Sequence, residues 1–310
     1  MRLSDIGEEG LISKIRGRFR SPRLALGIGD DAAILDWPTG QSVVFCADLL
    51  AENTHFRRGL HPPDSVGYKA VAANVSDVAA MGGVPVSFTV SLALPRDIPT
   101  RWVDGFYDGV ELASKEFDIA LAGGDASASE SIFIDVAMIG RIGQGEAVKR
   151  SGAVPGDSVY VTGVLGGSAW GLELLRRGTH VPELAIARHL YPAARPKVGR
   201  AMVGRAHAMI DVSDGLSTDL RRIAVESGVS IILHAGRIPR FDGASEEHVL
   251  HGGEEYELLI VGRDLPAAIE GVPLTRIGEV SARTTNPTVM LASDATGSDR
   301  PLEPQGWQHF

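Results

Sequence analysis

Short apolar runs that end in glycine and aspartate recur along this chain and constrain its fold most strongly. Ile119–Ala122 leads into Gly123-Gly124-Asp125, and Asp48 closes the apolar run Ser42–Ala47. Apolar runs of this length are typical of buried strands. Ligands of α/β proteins bind where such strands end. The pattern therefore predicts an α/β protein whose acidic residues gather at strand ends.

Helical and strand patterns alternate in both halves of the chain. Val86–Leu94 alternates apolar with small polar residues and predicts a half-buried strand. Glycine and proline cluster at Ser151–Asp157, between two apolar runs, and indicate a boundary. We therefore expect an α/β (α+β) protein of two mixed α/β domains, residues 1–150 and 151–310. The predicted helices are Glu9–Phe19, Ser65–Met81, Arg101–Glu116, Ala169–Arg177, Arg195–Ala206 and Leu216–Glu226.

Charge and cysteine content exclude several classes of protein. The chain has 39 acidic and 30 basic residues, a formal net charge of −9, which argues against nucleic-acid binding. Cys46 is the single cysteine, so an internal disulfide and a thiolate metal cage are excluded. There is no apolar run of about 18 residues, so no membrane association is expected. These observations predict a cytoplasmic protein.

The positions of the aspartates carry the chemical prediction. They fall in glycine-rich turns, at apparent strand ends, or one helical turn after Asn74 in the case of Asp77. Carboxylates that converge repel one another unless cations lie between them. Magnesium suits such a site because it takes hard oxygen ligands and bridges carboxylates to phosphate. The alternative is that each aspartate caps a helix or stabilises a turn.

The familiar phosphate-binding motifs are absent from the sequence. There is no Gly-x-x-x-x-Gly-Lys-Ser/Thr loop and no protein-kinase motif set. Gly140–Gly145 has the wrong glycine spacing for a dinucleotide fingerprint. Phosphate handled by this chain would depend on metal ions and arginine.

Taken together, the motifs resemble the thiamine-monophosphate kinase family, in the superfamily of aminoimidazole ribonucleotide synthetase. The resemblance runs nearly from end to end. It rests on Gly7–Ile15, Gly27–Ala33, Asn74–Gly82, Gly123–Asp125, Arg150–Gly152, Pro155–Asp157, Asp211–Leu216, Gly252–Leu258 and Gly306–Phe310.

The resemblance implies an activity and a set of site residues. The implied reaction is direct transfer of the γ-phosphoryl group of ATP to thiamine monophosphate, with several Mg²⁺ ions. It also implies a homodimer in which the N-terminal domains close a β-barrel. No residue is assigned as general base. The implied metal ligands are Asp30, Asp48, Asp77, Asp125, Asp211 and Asp214. The implied ATP contacts are Gly124, Asp125, Arg150 and Ser213, and the implied substrate contacts are His55, Glu254 and Trp307.

Two departures from the family pattern leave alternatives open. Cys46-Ala47 replaces the family's Ser-Thr, which removes two hydroxyls, and Glu255 replaces an aspartate. A related ATP-dependent synthetase, such as an aminoimidazole ribonucleotide synthetase, is one alternative. A non-catalytic nucleotide- or metal-binding regulator is the other.

Overall fold

The computed structural model describes residues 2–22, 24, 28, 35–178, 184–292 and 299–307. The chain divides into two units: Met1–Val78 with Val84–Gln144, and Ala79–Gly83 with Gly145–Phe310. No helix in the described ranges is long and apolar enough to cross a membrane.

The N-terminal unit is a four-stranded sheet with helices packed on one face. The strand order is β1-β4-β2-β3, with β2 and β3 parallel and the other neighbours antiparallel. Val78 in the second helix packs so closely against Gly140 of the sheet that a Cβ at residue 140 would collide with it. The second helix therefore lies against the sheet. The elements are α1 (Leu3–Arg18), β1 (Gln41–Ala51), α2 (Pro63–Ala80), β2 (Val84–Leu94), α3 (Thr100–Phe117), β3 (Ala120–Ala128) and β4 (Phe133–Gly143).

Period-two burial distinguishes the two faces of this sheet. Phe88, Val90, Leu92 and Leu94 of β2 are buried, as the alternation in the sequence predicts. The opposite face carries exposed apolar side chains from the two strands at one edge. These are Val43, Phe45, Leu49 and Phe133.

The C-terminal unit is built on a larger, mainly antiparallel sheet. Its strand order is β12-β11-β7-β10-β5-β8-β6, and β9 pairs with β10. The elements are β5 (Ser158–Thr162), α4 (Gly167–Arg176), α5 (Leu184–Leu190), α6 (Pro196–Ala201), β6 (Ala206–Asp211), α7 (Leu216–Ser227), β7 (Val229–His234), a 3-10 turn (Ala235–Arg237), α8 (Glu246–His251), β8 (Leu258–Gly262), β9 (Ala268–Ile269), β10 (Val272–Arg283), β11 (Val289–Ala292) and β12 (Arg300–Pro301).

The two-domain mixed α/β prediction is confirmed, whereas several element boundaries were wrong. Asp48 and Asp125 do not follow their strands but lie inside β1 and β3, because backbone pairing continues past both residues. The predicted helix Arg195–Ala206 ends at Ala201, before β6 begins. The sequence patterns also missed α5, α8 and the central strand β10, which contains a proline and a glycine.

Candidate active site

The loop between β6 and α7 is organised by one buried carboxylate. The backbone N–H groups of Ser213, Asp214 and Gly215 donate to Oδ2 of Asp219 at 3.1, 3.0 and 3.1 Å. Arg222 donates to Oδ1 of Asp219 at 2.6 Å and to Oδ2 of Asp214 at 2.5 Å. Asp219 therefore fixes the backbone of the loop, and Arg222 joins it to the Asp214 side chain. The sequence motifs predicted Asp214 as a site residue, but they did not predict Asp219.

Charge is concentrated at the base of this loop. The pKa of Asp219 is raised to about 7, mainly by burial and also by the nearby charge of Asp211, against the opposing effect of Arg222. Asp211, the last residue of β6, is itself buried. Two buried carboxylates close together, one at the end of β6 and one in the first turn of α7, are costly unless each has a cationic or N–H partner. The three backbone donors and Arg222 supply that compensation for Asp219.

Two predicted substrate residues are attached to the same loop. The backbone N–H of Glu254 donates to Ser213 O at 2.7 Å, and that of Trp307 donates to Asp214 O at 3.0 Å. The Trp307 side chain is 49% exposed. Three segments distant in sequence therefore meet, and they bring together Ser213, Asp214, Glu254 and Trp307.

The segment around Glu254 has an unusual backbone. Glu254 and Tyr256 have φ angles of 59° and 52°, in the left-handed region. For non-glycine residues this conformation costs free energy, and it persists where the surroundings impose it. Hydrogen bonds from Glu255 N and Tyr256 N to Val212 O provide that constraint. The glycine before Glu254 is packed against the protein itself, since a Cβ on Gly253 would lie 2.6 Å from Ser213 O.

Glu255, the residue that departs from the family pattern, is turned into the protein. It is 4% exposed, and its Oε1 accepts the backbone N–H of Ser168 at 2.9 Å, near the N-terminus of α4. Its buried Oε2 has no hydrogen-bond partner among the described residues. The pKa of Glu255 is raised to about 7, mainly by burial and in part by the charge of Glu257, while the Ser168 N–H and Arg188 act in the opposite direction.

In the N-terminal unit, the segments carrying Asp48 and Asp77 are in contact. The Cys46 Sγ lies 3.6 Å from both the backbone oxygen and the Oδ1 of Asn74. Asp77 follows Asn74 by one helical turn, and Asp48 follows Cys46 on the same face of β1. Cys46 is half-buried.

Asp125 is separated from Asp48 across the sheet. In the strand register, Asp48 lies in one row across the sheet with Val136, Val90 and Gly124. Asp125 follows Gly124 in β3 and therefore lies in the next row. Three strand spacings of about 4.8 Å separate the two edge strands by about 14 Å. Because adjacent rows point to opposite faces, Asp48 and Asp125 do not converge within one N-terminal unit.

The expectation that all six aspartates gather is therefore not met within the described part of one chain. There, no group of three histidine, cysteine, aspartate or glutamate side chains is arranged to hold a metal ion. Asp30 lies outside the described residues.

His55 and Arg150 have defined local environments. The Ala51 N–H donates to Nδ1 of His55 at 2.9 Å, so in the neutral ring the proton lies on Nε2. The backbone oxygen of Arg150 accepts from Ser227 Oγ at 3.1 Å, at the last residue of α7. The Ser213–Gly215 loop begins the same helix, and 12 residues separate its ends, about 18 Å at 1.5 Å per residue. The Arg150 backbone is thus remote from that loop.

Family models match both halves of the chain. Residues 29–142 match the model of AIR synthase related protein, N-terminal domain, and residues 154–287 match its C-terminal domain. These matches define the class, a two-domain protein related to AIR synthase.

Individual relatives identify the family within this class. The chain is 36% identical over 324 residues to a thiamine-monophosphate kinase of Aquifex aeolicus, which covers 100% of both chains. Another from Bacillus subtilis is 36% identical, over 92% of this chain and 93% of the relative. The chain belongs to the thiamine-monophosphate kinase family.

Solved structures agree with this assignment. The crystal structure of thiamine-monophosphate kinase from Stenotrophomonas maltophilia has a TM-score of 0.82 at 32% identity, over 94% of this chain and 98% of that one. AaThiL complexed with AMPPCP and TMP has a TM-score of 0.77 at 36% identity, over 100% and 99%. A hydrogenase maturation protein in complex with ATP reaches 0.81 at 22% identity, over 98% of each chain, and shares the fold.

Proposed function

We propose that this protein transfers the γ-phosphoryl group of ATP to thiamine monophosphate, yielding thiamine diphosphate and ADP. The observation that carries the proposal is 36% identity over the full length of a thiamine-monophosphate kinase. Transfer between phosphates depends on in-line positioning and charge neutralisation more than on covalent chemistry. A kinase of this kind needs no dedicated general base, because the acceptor phosphate is already ionised.

We assign substrate roles to the residues that meet at the β6–α7 loop. The half-exposed indole of Trp307 offers a flat face to the cationic thiazolium ring, a contact of about 0.5–2 kcal/mol. The Glu254 carboxylate can accept a hydrogen bond from the aminopyrimidine of the same substrate. Ser213, beside them, is assigned to ATP. His55, Gly124, Asp125 and Arg150 keep their predicted roles in binding substrate or ATP.

We propose Mg²⁺ as the metal ion, held by Asp30, Asp48, Asp77, Asp125, Asp211 and Asp214. Hard carboxylate oxygens suit Mg²⁺, which neutralises polyphosphate charge when bound. The fit is incomplete within the described residues of one chain, where Asp48 and Asp125 lie on opposite faces and Asp214 is paired with Arg222. This chain's own contribution is the fixed loop backbone and the acidic side chains around it.

We propose that the protein forms a homodimer through the exposed face of the N-terminal sheet. Phe45 is 68% exposed, and Val43, Leu49 and Phe133 extend the apolar surface along the same face. A contiguous exposed apolar patch marks an interaction surface. β1 also leaves an 11-residue edge, which a second copy can pair with or cover. We therefore propose that a second copy of this chain covers this face.

We also propose a cytoplasmic location, because a single cysteine is consistent with a reducing compartment.

Phe45→Glu tests the dimer. We expect this variant to be monomeric by sedimentation at concentrations where the wild-type protein is dimeric. Leu112→Glu is the matched control, because Leu112 is also an exposed apolar residue, at 49%, but lies on α3. A wild-type monomer, or a dimer unaffected by Phe45→Glu, would contradict the proposed surface.

Chromatographic detection of products tests the activity. Purified protein with ATP and MgCl₂ is expected to convert thiamine monophosphate to thiamine diphosphate and to release ADP in equal amount. Chelation by EDTA is expected to abolish turnover. Absence of turnover at every magnesium concentration would refute the kinase and favour a nucleotide-binding regulator.

A further inference from the structure

The segment before β5 carries Arg150 and is held by two elements of the C-terminal unit, β6 and α7. Two neighbouring backbone oxygens of this segment have different partners. The N–H of Met209 in β6 donates to Lys149 O at 2.9 Å, and Ser227 Oγ in α7 donates to Arg150 O at 3.1 Å. Arg150 itself is exposed. The backbone of Arg150 is therefore anchored, while its side chain extends into solvent.

A single hydroxyl, Ser227 Oγ, makes three hydrogen bonds to this segment. Besides donating to Arg150 O, it accepts the backbone N–H groups of Gly152 and Ala153, each at 3.2 Å. A serine hydroxyl has one donor and two acceptor lone pairs, so these bonds use its full capacity. Ser227 is buried. Loss of the hydroxyl would therefore remove the partner of three backbone groups of the segment at once.

The partners of Ser227 argue against a purely local role in its helix. Ser227 is the last residue of α7, and serine hydroxyls in helices often bond back to a carbonyl of the preceding turn. Here the partners of the hydroxyl lie 74 to 77 residues away in sequence. The end of α7 is closed instead by the N–H of Gly228, which bonds to the backbone oxygens of Ala224 and Val225. The hydroxyl therefore holds the Arg150 segment and does not cap the helix.

Other contacts keep the segment in place beyond Arg150. Gly152 has a φ of 130°, and a Cβ there would lie 2.3 Å from His207 O in β6. The backbone at residue 152 therefore passes against β6 at a distance that only glycine permits. Further along, the buried Asp157 accepts the Val154 N–H at 2.9 Å and closes the turn that leads into β5. Because these contacts do not involve Ser227, we expect the chain to fold without its hydroxyl.

We propose that Ser227 is a positioning residue that sets the direction in which Arg150 reaches the phosphates of ATP. The proposal rests on the proposed function, in which Arg150 binds ATP. A guanidinium binds phosphate best when two of its N–H groups face the oxygens in one plane, so its affinity depends on its orientation. The Arg150 backbone lies remote from the Ser213–Gly215 loop, and a change of direction at that backbone displaces the guanidinium from a nucleotide held at the loop.

The nucleotide affinity of Ser227→Ala tests the proposal. Titration calorimetry with the ATP analogue AMPPCP and MgCl₂ measures the dissociation constant without turnover. We expect Ser227→Ala to raise this constant, and KM for ATP, about tenfold, the effect of weakening one charge-assisted contact. KM for thiamine monophosphate should change less than about twofold. Ser227→Thr keeps the hydroxyl and should bind AMPPCP nearly as well as the wild-type protein.

Ser230→Ala is the matched control. Ser230 Oγ in β7 also accepts a loop backbone N–H, that of Thr288, at 3.2 Å. Neither residue is part of the proposed site, so the dissociation constant for AMPPCP should stay within about twofold of the wild-type value. An increase as large as that of Ser227→Ala would overturn the proposal, because loss of any such hydroxyl would then weaken nucleotide binding.

A double-mutant cycle with Arg150→Gln separates positioning from stability. In that background, Ser227→Ala should change the dissociation constant less than about twofold, because the group that it positions is already lost. Its decrease in Tm should be the same in both backgrounds. Three outcomes would each overturn the proposal: an unchanged dissociation constant at lowered Tm, equal increases in both backgrounds, or a Ser227→Thr variant of wild-type Tm that binds as weakly as Ser227→Ala.

The same measurements distinguish a failure of this proposal from a failure of the proposed function. If the wild-type protein binds AMPPCP but does not turn over thiamine monophosphate, the kinase function fails, and the cycle still decides the role of Ser227. A wild-type protein that does not bind AMPPCP overturns both.

Discussion

Replacing Glu255 by glutamine should change how stability depends on pH. Burial raises the pKa of Glu255 from 4.5 to about 7. Glutamine has nearly the same shape, and its Oε1 can still accept the Ser168 N–H. It does not titrate, so the variant removes one ionisation while the fold is kept.

The magnitude follows from the two pKa values. Because the folded pKa lies above the unfolded one, the folded state binds the proton more tightly. Stability is therefore highest below pH 4.5, falls as pH rises towards 7, and is level above that. The difference between 4.5 and about 7 corresponds to about 3 kcal/mol at about 1.4 kcal/mol per pH unit.

Urea unfolding at pH 5, 6, 7 and 8 measures the effect. Between pH 5 and pH 8 the wild-type protein should lose about 2–3 kcal/mol relative to Glu255→Gln. Glu247→Gln, at an exposed position on α8, controls for the loss of one charge. A constant difference between Glu255→Gln and the wild-type protein across this range would refute the reasoning, because Glu255 would then ionise alike in both states.

Three further predictions follow from other contacts. Asp219→Ala leaves three loop N–H groups without their acceptor and should lower the free energy of unfolding in urea by about 3 kcal/mol; an effect under 1 kcal/mol would contradict its organising role. Gly109→Ala would bring a Cβ within 1.8 Å of Asp64 O, where α3 crosses α2, so a large drop in Tm by circular dichroism is expected, and an unchanged Tm would contradict that close approach. Trp307→Ala should raise KM for thiamine monophosphate about 2- to 30-fold at unchanged Tm; an unaltered KM would remove Trp307 from the site.

The effect of the Glu255 substitution can be interpreted only when the direction of its side chain is known. Compared with the family's aspartate, the longer side chain of Glu255 moves the carboxylate by about one methylene. In the structure the carboxylate is buried at the N-terminus of α4, where N–H groups favour negative charge. The substitution at Glu255 therefore affects the stability of the fold and the geometry of Glu254.

The sequence by itself determined the α/β class, the two domains and the resemblance to the family, because periodicity and motif order are local or sequential properties. β2 shows this, since its alternation matches its burial. Local patterns could not give α5 or β10, whose residues acquire their roles from partners far along the chain.

The tertiary structure alone decided which carboxylates face which way. One residue of register puts Asp48 and Asp125 on opposite faces, and strand order puts them at opposite edges. It also decided that Asp219, Glu255 and Glu257 act inside the protein while Glu254 and Trp307 meet at one loop. Spacing in sequence carries no record of strand order or of the direction of a side chain, since both are set by long-range pairing and burial.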